Sequence, residues 1–397
     1  MSKISIDVPM HEIEQPAGPG DPQPVDPALV DAHRKTTYLS YEKYLRDRLA
    51  ELDRDRPSQW QRDYSSAIAY ERSIEPMRRR LQKMFGFWVD PADRGPLCTH
   101  SVESLRETDD FVARRMRLEI LPGLETYAIE IEPKKSPKLG GLLVQHGYAG
   151  TPEMVCGFTR TANDNDYAYR SLGIRAARRG FHVVAVFHPF AYGTLSDVCD
   201  AKLPGFEHHS ISYGRNRLNR LASMLGGTLF GLDMMASSRG VDLLLRASGL
   251  TPDRIGMYGL SQGGMSALYL PALDSRIHAS VSAAYFNWRF VKLLGPTRAT
   301  CYLDWTDEGQ FFSDVVRCFS DCDVVSLICP RAFAVEAGLH DGAVDFEKAQ
   351  AEFERARVHY DRLSLSNRVE FIGHAEGHVC ATRRALDFLT ENLASKS

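Results

Sequence analysis

No stretch of this 397-residue sequence approaches the roughly 20 uninterrupted apolar residues that a membrane-spanning helix needs, because charges or glycines interrupt even its most apolar segments. That absence argues against a helical membrane protein. An excess of charge of either sign is missing as well: 48 Lys and Arg stand against 51 Asp and Glu, a formal net charge of -3, with neither a basic domain nor a basic tail. Nucleic acid and anionic membranes therefore find no electrostatic hold and are not expected as partners. The first twenty residues contain Asp7, His11, Glu12 and Glu14 and lack the charged start and apolar run of a secretory signal, so a cytoplasmic location is expected. The eight cysteines are scattered, and Cys318 and Cys322 have no second pair at zinc-binding spacing. Free buried thiols are expected rather than a disulfide framework, and no metal site is expected.

What the sequence does contain is 44% hydrophobic and 25% charged residues, enough for a large soluble core. Residues 1–26 place Pro9, Pro16, Pro19, Pro22 and Pro24 in a polar background and read as a mobile arm. Residues 27–95 read as a helical extension, with Tyr38, Tyr41, Leu45, Leu49 and Leu52 at helical spacing. Such an extension would serve as a cap or as the contact of a homo-oligomer. Within it, Arg78-Arg79-Arg80 reads as a solvated helix face.

From residue 96 onward the pattern is α/β. Eight runs predict strands: 111 to 120, Glu125 to Glu132, Gly141 to Gln145, Phe181 to Phe187, Arg254 to Leu260, Ala279 to Phe286, Arg331 to Ala337 and Arg368 to Ile372. The first two alternate around Leu121-Pro122-Gly123 and suit a hairpin; the later ones are continuous apolar runs between helical stretches and suit a buried parallel sheet. The expected architecture is a mostly parallel eight-stranded sheet flanked by helices. The long connections from Pro189 to Leu250 and from Asn287 to Pro330 are the segments expected to shape a pocket.

Ser261 lies in Tyr258-Gly259-Leu260-Ser261-Gln262-Gly263-Gly264, between a strand and a helix. A serine in such a tight turn has its hydroxyl pushed into the open, and the flanking glycines relieve the crowding, which makes Ser261 the candidate nucleophile. A serine hydroxyl needs a base, usually a histidine held by a carboxylate. In the order this kind of sheet requires, Asp341 follows the seventh strand run, with Glu336 as the competing acid; His378 follows the last run, with His374 as its rival. The oxyanion formed by attack needs N–H donors. Gln262, next to the nucleophile, and Tyr148, in Gln145-His146-Gly147-Tyr148-Ala149-Gly150, are the candidates. His208-His209 and Asp304, Asp307 and Glu308 read as surface residues, and the chemistry calls for no cofactor.

These motifs resemble those of the acetyl xylan esterase and cephalosporin deacetylase family, and more broadly of dienelactone-hydrolase-like enzymes of the α/β-hydrolase superfamily. His146-Gly147-Tyr148-x-Gly150 and Ser261-Gln262-Gly263-Gly264 are similar to that family's oxyanion and nucleophile motifs, and Gly338-Leu339-His340-Asp341 and Gly377-His378 to its acid and base loops, over roughly residues 110 to 395. The resemblance implies an α/β-hydrolase fold, a triad of Ser261, Asp341 and His378, and backbone donors Gln262 and Tyr148. It departs after the fourth strand run, where His188-Pro189-Phe190-Ala191-Tyr192-Gly193 stands in place of an Arg-Gly-x-Gly turn. The resemblance therefore carries the reaction type rather than the substrate. The expected function is hydrolysis of a small-molecule carboxylic ester through an acyl-enzyme; the aromatics around the presumed pocket (Tyr148, Phe187, Phe190, Tyr192, Phe286, Trp288 and Trp305) would fit an apolar or sugar-bearing substrate, although each taken alone reads as core. An oligopeptidase or amidase with the same triad, or a catalytically silent binding protein, are the alternatives.

Overall fold

In the computed structural model the described residues are 26–134, 139–159, 166–189, 211–247, 249–295, 302–304, 308–381 and 383–393. The arm up to residue 25, and Phe190, Tyr192, His208, His209, Trp305 and Asp307, lie outside them. The described cysteines Cys98, Cys156, Cys318, Cys322, Cys329 and Cys380 are free thiols.

All eight predicted runs pair into a single sheet, and a ninth strand joins it. In chain order the strands are β1 (Thr99–Glu107), β2 (Phe111–Leu121), β3 (Leu124–Pro133), β4 (Gly140–Gln145), β5 (Phe181–Val186), β6 (Ile255–Leu260), β7 (Ala279–Ala283), β8 (Ala332–Gly338) and β9 (Val369–His374). Their spatial order is β1-β2-β3-β5-β4-β6-β7-β8-β9. The steps from β1 to β5 are antiparallel, and every step from β5 to β9 is parallel. The sheet is thus nine-stranded rather than eight-stranded. The strand that the periodicity missed, β1, is an edge strand with no buried residue and two register shifts, so it carries no apolar alternation to read.

The inner strands β4 to β8 are buried on both faces, which explains their continuous apolar runs. Successive residues point to opposite sides, so Leu142 and Val144 enter one core while Leu143 enters the other. The helices Leu172–Arg179 and Arg383–Leu393 contribute to one core. The helices Leu229–Leu245, Gln262–Leu273 and Asp321–Ile328 contribute to the other. The helix Gln262–Leu273 runs only two residues beyond Pro271, as an interior proline dictates.

The helix Ala67–Phe85 starts at Ser66, whose side chain accepts the Ala69 N–H, and buries Tyr70, Ile74, Met77, Leu81 and Phe85 along one stripe. The arginine run on it is not uniformly solvated. Arg79 is exposed, but Arg78 is mostly buried and donates to the carbonyls of Ala272 and Leu327. Contacts divide the chain into two units, residues 1–48 and 49–397. The helix Pro27–Asp55 crosses that division and has no buried residue. Among the described residues, no helix is long and apolar enough to cross a membrane.

Candidate active site

The parallel strands end at one edge of the sheet, and the loops that follow them carry the candidate residues, the usual place for a site in an open α/β sheet. Ser261 comes directly after β6 and caps the helix Gln262–Leu273 with φ 61° and ψ -121°, a conformation that costs a non-glycine residue roughly 1–3 kcal/mol. The fold holds it there by a bond from Ser261 N–H to the Ala283 carbonyl at 2.9 Å and by the helical bond from Met265 N–H to the Ser261 carbonyl, also 2.9 Å. The turn is possible because two glycines leave room for backbone. A Cβ on Gly259 would lie 2.0 Å from the Gly263 carbonyl oxygen, and one on Gly263 would lie 2.1 Å from that of Gln145. Gln262, the first helical residue, has an N–H that the helix itself cannot satisfy.

The loop after β4 passes beside this turn: a Cβ on Gly147 would sit 3.0 Å from Ser261 Cβ. Its peptide planes are held by side chains. Gly147 N–H donates to the Tyr169 hydroxyl at 2.7 Å, and the Gly147 carbonyl lies 3.0 Å from Gly150 N and 2.9 Å from His146 Nδ1. His146 Nε2 accepts the His188 N–H at 3.1 Å, so the ring's proton belongs on Nδ1, where it donates to Gly147. Burial, with the neighbouring His188 second, pushes the His146 pKa down to about 3 and keeps the ring neutral. A trans peptide points its C=O and N–H in opposite directions. Fixing the Gly147 carbonyl therefore fixes the direction of the Tyr148 N–H. His188 is also buried with its pKa near 3, and its Nε2 lies 2.8 Å from Ser237 Oγ.

The acid and base candidates sort themselves by partner. Asp341, three residues past β8, places its carboxylate oxygens 2.9 and 3.0 Å from His378 Nδ1 and also accepts the Ala343 N–H at 2.8 Å. The Asp341 side chain is fully buried, whereas that of His378 is 35% exposed. The backbone binds the two loops together through Leu339 N–H to the His374 carbonyl and His340 N–H to the Glu376 carbonyl. Glu336 has a different partner: it is buried within β8 and accepts the hydroxyl of Tyr258 on β6. Burial, and then the charge of Glu336, push the Tyr258 pKa well up and keep it a donor. His374 Nδ1 accepts the Glu376 N–H at 3.3 Å, and burial lowers its pKa.

Ser261, Gln262 and the Gly147-Tyr148 peptide thus meet at the ends of β6 and β4, and Asp341 and His378 meet at the ends of β8 and β9. Sequence reasoning singled out these residues but took His146 only as part of a turn. It also missed His188 and Tyr169, whose roles depend on contacts across 42 and 22 positions of chain. Of the aromatics expected at the pocket, Phe286 is core, packed on Phe333, and the Trp288 indole N–H points to Asp53.

No family model matches the chain. Its sequence is 23% identical over 303 residues to YtaP of Bacillus subtilis (strain 168), a protein named as a hydrolase, across 75% of this chain and 93% of that one. Its structure is similar to that of a Bacteroides fragilis NCTC 9343 protein named as an acetyl xylan esterase, with TM-score 0.60 and 17% identity over 82% of this chain and 80% of that one. It is similar also to a glucuronoyl esterase from Solibacter usitatus, with TM-score 0.59 and 14% identity over 83% and 94%. Together with the strand order and the turn at Ser261, these likenesses define the class: the chain has the α/β-hydrolase fold.

Proposed function

We propose that this protein is a serine hydrolase that cleaves a small-molecule carboxylic ester through an acyl-enzyme. The observation that carries the reading is the forced backbone of Ser261 at the strand-to-helix turn, in a fold whose neighbouring loops also hold the paired Asp341 and His378. Ser261 Oγ attacks the ester carbonyl while His378 Nε2 takes its proton, and Asp341 orients the imidazole and stabilises its cation. The oxyanion is met by the N–H groups of Gln262 and Tyr148; in other enzymes, losing one such donor costs roughly 2.7–4 kcal/mol of transition-state stabilisation. Collapse of the intermediate gives the alcohol the proton from His378 and leaves the acyl group on Ser261. Water, deprotonated by His378, then releases the acid and restores Ser261. The strained position of Ser261 and the buried, prepaired Asp341 support this over a silent binding protein, which has no use for either.

The test is labelling with a fluorophosphonate, read by mass spectrometry, beside turnover of activated short and medium acyl esters. Labelling at Ser261, with label and turnover both lost in Ser261→Ala, is expected. No label and equal rates in the two proteins would remove Ser261 as the nucleophile.

A further inference from the structure

A cavity of about 580 Å³ opens beside the end of β5, within the roughly 300–1,000 Å³ typical of small-molecule pockets. One wall is the β2–β3 hairpin, with Ile120 and Leu121; another is the pair of helices Ile211–Met224 and Leu229–Leu245, with Leu218, Leu229 and Leu232; Phe187 lies between them. The Phe187 ring packs 5.9 Å from His146, the residue that fixes the Gly147 peptide. Phe187 thus stands between the cavity and the residue that holds the Gly147 peptide.

Its chemistry is one-sided. The Thr126 hydroxyl donates to the Phe187 carbonyl, Tyr127 donates to Glu153, Arg117 pairs with Glu125, and Asp233 Oδ2 receives Arg215 at 2.7 Å. Asp233 Oδ1 is the one buried side-chain oxygen of the lining left without a partner among the described residues. A sugar ring placed here would lose several hydrogen bonds to water and find mostly apolar side chains, with the polar groups of the lining already engaged in the bonds above. An alkyl or aryl group loses none, and each buried methylene gains about 0.8 kcal/mol. The rim continues the same character, since Leu221 and Leu225 are 56% and 77% exposed.

The strand order decides which part of an ester belongs here. His378 must protonate the leaving alcohol, so the alcohol lies toward β8 and β9, on one side of Ser261. The other substituent of the carbonyl carbon is not held by His378 and can run toward β4, β5 and β3, the side on which the cavity opens. From β6 to β5 is two strand spacings, about 10 Å, a distance spanned by an acyl chain of about eight carbons.

We propose that this cavity is the acyl-chain pocket, and that the substrates are esters of medium-length apolar acids rather than acetylated or uronoyl sugars. The proposal rests on the roles given above to Ser261 and His378. The experiment uses the full chain with two ester series, one varying the acyl group from acetyl to decanoyl on 4-nitrophenol, the other varying the alcohol on a fixed acetyl group. Ala222 lines the cavity and is buried, so Ala222→Trp fills it; Leu221→Asp, at the exposed rim, is the second variant and places a charge where an apolar chain would lie. Expected is a kcat/KM at least tenfold higher for octanoate than for acetate, a flat alcohol series, and an octanoate-to-acetate ratio that falls to about one in both variants. A flat acyl series, an alcohol series that responds instead, or an octanoate advantage that survives both variants overturns the pocket while acetate turnover through Ser261 keeps the esterase reading. Failure of that reading shows differently: Ser261 takes no fluorophosphonate and no ester of either series is cleaved.

Discussion

The carboxylate of Asp341 lies 2.9 Å from Nδ1 of His378, with its side chain wholly buried and a second bond from the Ala343 N–H keeping it in place. Neutralising it while preserving its shape should favour the wrong imidazole tautomer. Asp341→Asn is therefore expected to lower kcat by about 10³–10⁴-fold, on the scale of the corresponding change in serine proteases. Glu336→Gln disturbs the bond with Tyr258 and should leave kcat within about tenfold. Steady-state kinetics of the two variants separate the acids, and the reverse ranking would make Glu336 the acid.

His146 reaches the chemistry only through the Gly147 peptide, so its loss should appear in acylation rather than in substrate binding. His146→Ala is expected to reduce the rate of fluorophosphonate labelling about 10–100-fold with KM for a short ester little changed. His359 is also buried and lies 2.7 Å from the Tyr64 hydroxyl; His359→Ala should lower the melting temperature and leave the labelling rate alone. Equal labelling in both variants would reduce His146 to a packing residue.

Ser261 occupies backbone that glycine adopts with little cost. Ser261→Gly and Ser261→Ala should both be inactive, but the glycine variant should be the more stable by about 1 kcal/mol in urea denaturation. Equal stability would mean that the turn imposes no strain on a side-chain-bearing residue.

Stability should fall in mild acid. His146, His188 and His359 all have pKa values lowered by burial to about 3, against about 6.5 in an unfolded chain. Below pH 6.5 the unfolded chain binds protons that the folded rings refuse until about pH 3, so stability present at neutral pH is lost as the pH falls across that window. Each ring contributes about 1.4 kcal/mol per pH unit there. Urea denaturation at pH 7, 6 and 5 should follow this slope, less steeply in His359→Ala. A stability independent of pH over that range contradicts the buried neutral state of these rings.

The residues that local chemistry governs were readable without a structure. The inner strands, buried on both faces, had to be continuous apolar runs, and the turn at Ser261 had to keep Gly259 and Gly263, because a side chain at either would collide with backbone. The edge strand β1 was not readable, because an exposed, charged, irregular strand lacks the alternation that burial imposes.

By itself, then, the sequence determined the inner strands, the strand-to-helix turn and the short set of candidate acids and bases, since each depends on residues close together in the chain. Which acid meets which base was decided only by the tertiary structure. Glu336 and Asp341 are five residues apart, yet one points into the core toward Tyr258 and the other across a loop to His378, because a strand fixes the direction of its side chains and the loop after it does not. The same holds for the lock on Gly147 and for the apolar cavity. Both are assembled from segments far apart in sequence, and only the order in which the strands lie side by side brings them to the proposed site.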